Sequence, residues 1–456
     1  MKDRMKLQKG SVKMRKAALH NLGCKVNAYE TEAMQQMLED AGYEIVPFRE
    51  GADVYVINTC SVTNVADKKS RQMLHRAKKM NPSAVVVAAG CYVQAAGEEL
   101  KKDEAVDLVI GNNRKKDLVE VLERYFNEHE GTDDIIDIGK TSEYEKLHIR
   151  KIADHTRAFI KVQDGYNQFC SYCIIPYTRG RVRSRPMEDV VQEVEALAAS
   201  GYKEIVLTGI HLSSYGADFK RTAENPEAAA DLLSLIVRLD RIPGIERIRL
   251  GSLEPRIITD EFAETLAGLK SFCPHFHLSL QSGCNETLKR MNRHYTTEDY
   301  EARCEILRRY FHNPAITTDV IVGFPQETEE EFEETRQFLK RIHFYEMHIF
   351  KYSRREGTRA AVMEGQVPEP KKAERSDILL ALEEQMSLEY RRTFLGKEEE
   401  VLLEERISVD GEDYMVGHTR QYVKAVVPYR EGLKNVTVRG VMERMVTDEI
   451  LFLREK

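Results

Sequence analysis

The sequence predicts an α/β protein: an N-terminal parallel sheet, a central partial (β/α)6 barrel and a small all-β barrel at the C-terminus. Three observations carry this. Short β-rich runs alternate with helical patterns over 15–126, the alternation resumes over 157–390 with six strand candidates, and beyond 391 the helical patterns give way to short alternating strands. A chain of 456 residues also exceeds what one compact core accommodates.

In the first segment "AALHNLGC" (17–24), "DVYVINTC" (53–60), "AVVVAAGC" (84–91) and "VDLVIGN" (106–112) read as strands. The patterns between them are helical and end in glycine or proline, which predicts a parallel sheet covered on both faces. Residues 127–156 turn polar and acidic and read as a linker. The second series comprises "AFIKVQDG" (158–165), "EIVLTGI" (204–210), "RIRLGSLE" (247–254), "HFHLSLQS" (275–282), "ITTDVIVGF" (316–324) and "EMHIFKYS" (346–353). Six units, against the eight of a closed TIM barrel, predict an open-sided, TIM-like barrel with its chemistry at the strand C-termini. A helical pattern near 369–394 leads into "EVLLEERIS", "YMVGHT", "YVKAVVP", "NVTVRGVMER" and "DEILFLRE", the makings of a small barrel of the kind that binds RNA.

Composition excludes several classes. Charged residues are 31% and hydrophobic ones 42%, and no apolar run is long enough to span a bilayer, so a cytoplasmic protein without a membrane partner is expected. The first sixteen residues are basic without an apolar core; a disordered arm, or a start at Met14, is expected there. The net charge of −7 does not recommend nucleic acid, yet basic stripes stand at 68–79, 179–185 and 288–295. Eight cysteines in such a chain argue for metal, catalysis or burial rather than disulfides. Cys273, Cys284 and Cys304 lack ligand spacing and are expected in ordinary core or loop roles, free cysteine being so often buried.

The other five cysteines are placed differently. Cys24, Cys60 and Cys91 each come at or just past the end of a predicted parallel strand, so neighbouring tips can bring them together around one metal cluster. Three thiolates on a four-iron cluster leave one iron open to another ligand. Cys170 and Cys173 stand in the loop after the first strand of the second series, where C-x-x-x-C-x-x-C would supply three thiolates; here the first position is Tyr166. A lone C-x-x-C also fits a redox dithiol or half a zinc site.

With "NLGCKVNAYETEAM", "VINTCSVTN", "GCYVQ", "GYNQFCSYCIIPYTRGRVRSR", "LTGIHLSSYG", "HLSLQSGCNETLKRMNRHYT", "TTDVIVGFPQETEEEF" and "FKYSRREGTRA", the chain resembles the tRNA methylthiotransferases, from about residue 15 over nearly its whole length. "GCKVNAYETEA" is most similar to the branch acting on N6-threonylcarbamoyladenosine. The resemblance implies an N-terminal methylthiotransferase domain (15–126), a radical S-adenosylmethionine domain (157–390) and a TRAM RNA-binding domain (391–456). It implies S-adenosylmethionine and two [4Fe-4S] clusters as cofactors. Cys24, Cys60 and Cys91 would hold the auxiliary cluster that carries the sulfur, and Cys170 and Cys173 two irons of the radical cluster. Tyr172 would lie near the cofactor adenine, and Gly209, His211, Glu254, Gln281 and Asp319 would line the cofactor and substrate pocket. Arg179, Arg181, Arg183 and Arg185 would meet phosphate, the cofactor carboxylate or solvent. The implied reaction adds methylthio at C2 of the adenosine at position 37, beside the anticodon, with tRNA, an electron donor and a sulfur source as partners.

Tyrosine at 166 departs from the family's cysteine. Phenolate does ligate iron in haem catalases, but it is a harder, longer donor that stays protonated near neutral pH. A labile radical cluster and impaired cleavage of S-adenosylmethionine are expected. The alternatives kept open are a non-catalytic tRNA-binding homologue with one cluster, and a methylthiotransferase acting on isopentenyladenosine or a ribosomal-protein aspartate.

Overall fold

The computed structural model describes residues 14–128, 134–149, 156–222 and 230–456; most of the basic N-terminal run and parts of the 127–156 stretch fall outside them. Two compact units form. The first runs to Ile136 apart from Val62–Asn64; the second takes that stretch and Asp137–Lys456.

In the first unit Lys16–Asn21 (β1), Glu44–Ile45 (β2), Val54–Thr59 (β3), Val85–Gly90 (β4) and Leu108–Ile110 (β5) make one sheet ordered β2-β1-β3-β4-β5, every pair parallel. β3 and β4 are buried at every position, as runs of Val, Ile and Ala covered on both faces should be. One apolar cluster lies on each face, around Met34, Leu38 and Val56 on one side and Tyr55, Leu74 and Val86 on the other. Strand order reverses between β1 and β3, which opens a crevice beyond their C-terminal ends.

The second unit begins with Arg157–Asp164 (β6), joined by the short antiparallel Arg183–Ser184 (β7), then Glu204–Gly209 (β8) and Arg247–Leu250 (β9), in the order β7-β6-β8-β9. His275–His277 (β10), Ala315–Val322 (β11) and Glu346–Lys351 (β12) form a second parallel sheet. Parallel bridges Ile248↔Phe272 and Leu253↔Leu278 join the two edges, so six parallel strands follow one another in chain order. Ahead of β6, residues 137–149 lie along this unit: Leu147 and Ile149 are buried and the Ile149 amide donates to Glu193.

The helix Glu369–Arg392 leads to Glu398–Val409 (β13), Glu412–His418 (β14), Lys424–Pro428 (β15), Thr437–Thr447 (β16) and Ile450–Glu455 (β17), which close into a barrel around Val401, Leu403, Ala425, Val427 and Leu451. It is fastened under the start of the parallel strands. Glu204, at the head of β8, takes Arg157 at 2.5 Å and Arg249 at 2.9 Å, and those arginines reach Tyr422 Oη (2.8 Å) and the carbonyls of Thr419 (2.7 Å) and Arg420 (2.8 Å). Burial alone would raise the Glu204 carboxyl, but Arg249, Arg157 and Arg247 outweigh it and hold it down at about 2. No helix among the described residues is long and apolar enough to cross a membrane.

Candidate functional site

Cys24, Cys60 and Cys91 stand at the C-terminal ends of β1, β3 and β4, three adjacent strands. Thr59 pairs with Gly90, so Cys60 and Cys91 come one step beyond the last register pair, side by side. Gly23 closes the third side: a side chain there would start 2.9 Å from the Cys60 Sγ, and its φ of +106° belongs to glycine. Gly90, before Cys91, has φ +98° and the same role, since a Cβ there would strike Asn58 Oδ1 at 2.5 Å. Cys24 is the N-cap residue of the helix Lys25–Asp40 and Cys91 opens the helix Cys91–Leu100, so each cysteine stands at a helix N-terminus. Ser70 holds Cys60 by its backbone at both N–H and C=O.

Behind these thiols runs a buried polar chain that the sequence pattern did not single out. Glu30 and Lys115 pair at 3.0 Å, both side chains wholly buried; Lys115 Nζ donates to Asn112 Oδ1 at 2.7 Å, and Asn112 Nδ2 lies 3.5 Å from Cys91 Sγ. Asn27 ties Leu22 O and Thr59 O together at 2.7 and 3.0 Å, fixing the loops that carry Cys24 and Cys60. The three thiols, the crevice at the strand-order reversal and the two helix N-termini suit a cluster held by three cysteines.

The second cysteine pair follows β6. The loop is pinned by Ser171, whose amide donates to Met291 O (3.0 Å) and whose hydroxyl donates to Arg290 O (2.8 Å). Cys170 is buried; Cys173 is less so, and burial, then the neighbouring Cys170, pushes its thiol up to about 12. Tyr166 Oη lies 2.9 Å from Cys170 Sγ. Burial first, and then Cys170 and Cys173, drive this phenol far above its ordinary value, so it keeps its proton, and either atom of the pair can donate. A protonated phenol in hydrogen-bond contact with one thiol occupies volume that an iron–sulfur cube needs, so the residues of this loop do not fit a three-ligand cluster as they stand.

Around the loop the candidate pocket residues gather unevenly. His211 meets the Tyr166 ring edge-on at 5.3 Å, and its Nδ1 bonds Ser214 Oγ at 2.6 Å. Burial, then Arg293 and Arg256, pushes His211 down to about 4; it is neutral, and its Nε2 is buried without a partner among the described residues. Such an orphaned acceptor or donor beside the loop fits a polar ligand. Gly209 backs onto Gln163, where a Cβ would come within 2.8 Å of Oε1. Glu254 is held by Arg256 at 2.7 Å. Gln281 has φ +75°, clamped on β11 by its amide to Asp319 O and its carbonyl to the Ile321 amide, 2.9 Å each. Tyr172 meets the Phe324 ring edge-on at 6.2 Å, Ile321 packs against the same cluster, and Asp319 lies two residues before Ile321 on the same strand face.

Of the four arginines expected to meet phosphate, the cofactor carboxylate or solvent, three are corrected. Arg179, Arg183 and Arg185 are buried, the first two within 3.4 and 3.7 Å of Asp164 and the third on Glu193. They are internal ion pairs; Arg181 instead lies over the Phe169 ring at 4.9 Å. On the C-terminal barrel Arg420 donates to Lys270 O and Phe272 O, while Lys424 is exposed beside Glu449. Arg293, which the sequence showed only as part of a basic stripe, is 3.2 Å from Cys170 Sγ and also holds Tyr295 Oη at 3.0 Å. Cys273, Cys284 and Cys304 are buried as expected.

Known proteins share both halves of this arrangement. The model of an uncharacterized protein family, UPF0004, matches residues 16–111, and that of the Radical SAM superfamily matches 160–339. The threonylcarbamoyladenosine tRNA methylthiotransferase MtaB of Bacillus subtilis (strain 168) is 43% identical over 451 residues, covering 96% of this chain and 98% of its own. MtaB of Aquifex aeolicus is 42% identical, over 88% of this chain and 95% of its own. The tRNA-2-methylthio-N(6)-dimethylallyladenosine synthase of Carboxydothermus hydrogenoformans is 36% identical, over 87% and 90%. A solved radical S-adenosylmethionine methyltransferase, TsrM of Kitasatospora setae, shares the fold at 17% identity, with a TM-score of 0.55 over 74% of this chain and 73% of its own. The chain belongs to the tRNA methylthiotransferases, enzymes of the radical S-adenosylmethionine superfamily.

Proposed function

We propose that this chain is built as the methylthiotransferase of N6-threonylcarbamoyladenosine in tRNA and that Tyr166 cripples its radical half. The observation that carries the reading is the contrast between the two thiol sites: three cysteines follow the ends of three adjacent strands, while in the other loop a protonated phenol leans on Cys170. Identity to MtaB relatives over nearly the whole chain supports the substrate.

In this reading Cys24, Cys60 and Cys91 hold a four-iron cluster, which when bound supplies the sulfur to be transferred. Glu30, Lys115 and Asn112 fix Cys91 from behind. His211, Glu254, Gln281 and Tyr172 orient S-adenosylmethionine and keep water out, and Arg293 sets a positive charge beside Cys170. The closed barrel β13–β17 serves as a TRAM-like tRNA-binding domain. An electron donor and a sulfur source complete the set of partners. With two thiols and a phenol, the loop after β6 supports no radical step as it stands.

Tyr166→Cys tests the proposal. After anaerobic reconstitution iron is expected to rise from about one four-iron complement towards two, and deoxyadenosine formation under dithionite to appear. Equal iron and equal deoxyadenosine in both proteins would defeat the account of Tyr166. Abundant deoxyadenosine from the unaltered chain would do the same.

A further inference from the structure

On the open face of β10, β11 and β12 stand His277, Asp319 and His348, their ring nitrogens and carboxylate oxygen all within 4.8 Å of one another. Register explains the meeting: His277 pairs with Thr317 and Asp319 with His348, and residues 317 and 319 share a face. Thr317 Oγ1 holds His277 Nδ1 at 2.9 Å and so aims Nε2 at Asp319 Oδ2, 3.2 Å away. His348 lies stacked at 5.7 Å from the His277 ring and is exposed, its edge open to whatever enters. The same face carries Ile321, which packs against the cluster of Met291, Phe324, Tyr352 and Ala360 that Tyr172 of the cysteine loop also joins.

We infer that His348, with His277 and Asp319, reads the N6 substituent of the substrate adenosine. The inference rests on the threonylcarbamoyl reading above and deepens it. C2 and N6 of adenine point away from each other, so a base that turns C2 towards the loop sends its N6 group elsewhere in the pocket, and this trio is a polar wall near the loop residue Tyr172. A threonylcarbamoyl group brings urea N–H and hydroxyl donors together with a carboxylate. Asp319 accepts from the donors, and the imidazole of His348 donates to the carboxylate, while His277 holds Asp319 in place at 3.2 Å. A dimethylallyl group offers none of these partners, and seating it here covers His348 and the remaining acceptor capacity of Asp319 without a hydrogen bond. Sites built to hydrogen-bond a substrate discriminate against an analogue without the polar group far more sharply than apolar pockets discriminate by size.

The test uses binding, so Tyr166 does not enter it. Three anticodon stem-loop RNAs of one sequence, carrying threonylcarbamoyladenosine, dimethylallyladenosine or adenosine, are titrated against the whole anaerobically reconstituted chain by fluorescence anisotropy. The unaltered chain is expected to prefer the threonylcarbamoyl RNA roughly tenfold over the dimethylallyl RNA. His348→Leu is expected to erase that preference by weakening the first RNA alone, and His348→Gln to keep part of it. An unchanged ratio in His348→Leu overturns the role of His348 and leaves the proposed substrate standing. No preference in the unaltered chain overturns the proposed substrate itself. Loss of the preference on adding EDTA to the unaltered chain overturns direct contact, since a divalent cation would then occupy the trio.

Discussion

Lys115 and Glu30 show how much one residue can hold. Both are without solvent contact, and their pairing is completed by Asn112. Removing one partner strands the other charge, so Lys115→Met is expected to cost about 3–5 kcal/mol, read from urea unfolding of the whole chain by circular dichroism. Glu30→Gln combined with Lys115→Met should recover most of that loss; a double variant as unstable as the single one would show that packing, not charge, is at stake. The placement of Cys24, Cys60 and Cys91 after three adjacent strands was legible because cysteine ends three strand-like runs. Lys115 was not, for it follows a strand among other charged residues and nothing local marks it as buried. Arg179, Arg183 and Arg185 misled for the same reason: a run of arginines looks like an anion site until Asp164 and Glu193 are seen inside with them.

Among elements, the strands were legible from alternation and apolar runs, down to the five of the closed barrel. The two-residue strands β2 and β7 were not, being too short to carry a pattern. Nor was the junction of the barrel with β6, β8 and β9, because charged residues at strand starts give no periodic signal. That junction sets a pH dependence. The Glu204 carboxyl sits at about 2 in the fold against an ordinary 4.5, so its contribution is complete above pH 4.5 and drains away as pH falls towards 2. The shift corresponds to about 3 kcal/mol. Glu204→Gln should therefore lower the melting temperature near neutrality, and the gap to the unaltered chain should narrow on acidification; a gap constant down to pH 3 would count against the ion cluster.

At the scale of the whole molecule the question is how a chain of net charge −7 engages tRNA. On the barrel, exposed cations are matched by carboxylates: Arg406 by Asp413, Lys424 by Glu449, Arg439 by Glu400, Arg454 by Glu443. The helix Asn64–Met80 instead presents Lys68, Lys69, Arg71, Arg76 and Lys79 to solvent. Neutralising Lys68 and Lys69 together is expected to weaken tRNA binding and to flatten its salt dependence by about 0.9 for each duplex phosphate that the variant no longer neutralises. Lys424→Ala should change that slope less, and the reverse order would assign the electrostatic grip to the barrel.

The carbonyls that Arg247 and Arg249 grasp belong to His418, Thr419 and Arg420, some 170 positions further along, and Arg157 waits 265 positions for Tyr422. On the ribosome the leading strands emerge first, and at usual elongation rates roughly ten to thirty seconds pass before the last partners of Arg247 follow. Through that interval Glu204 and its arginines remain hydrated, a charged hem along the nascent sheet that deters premature sticking. A release of translation short of residue 418 would leave that hem permanently unfastened.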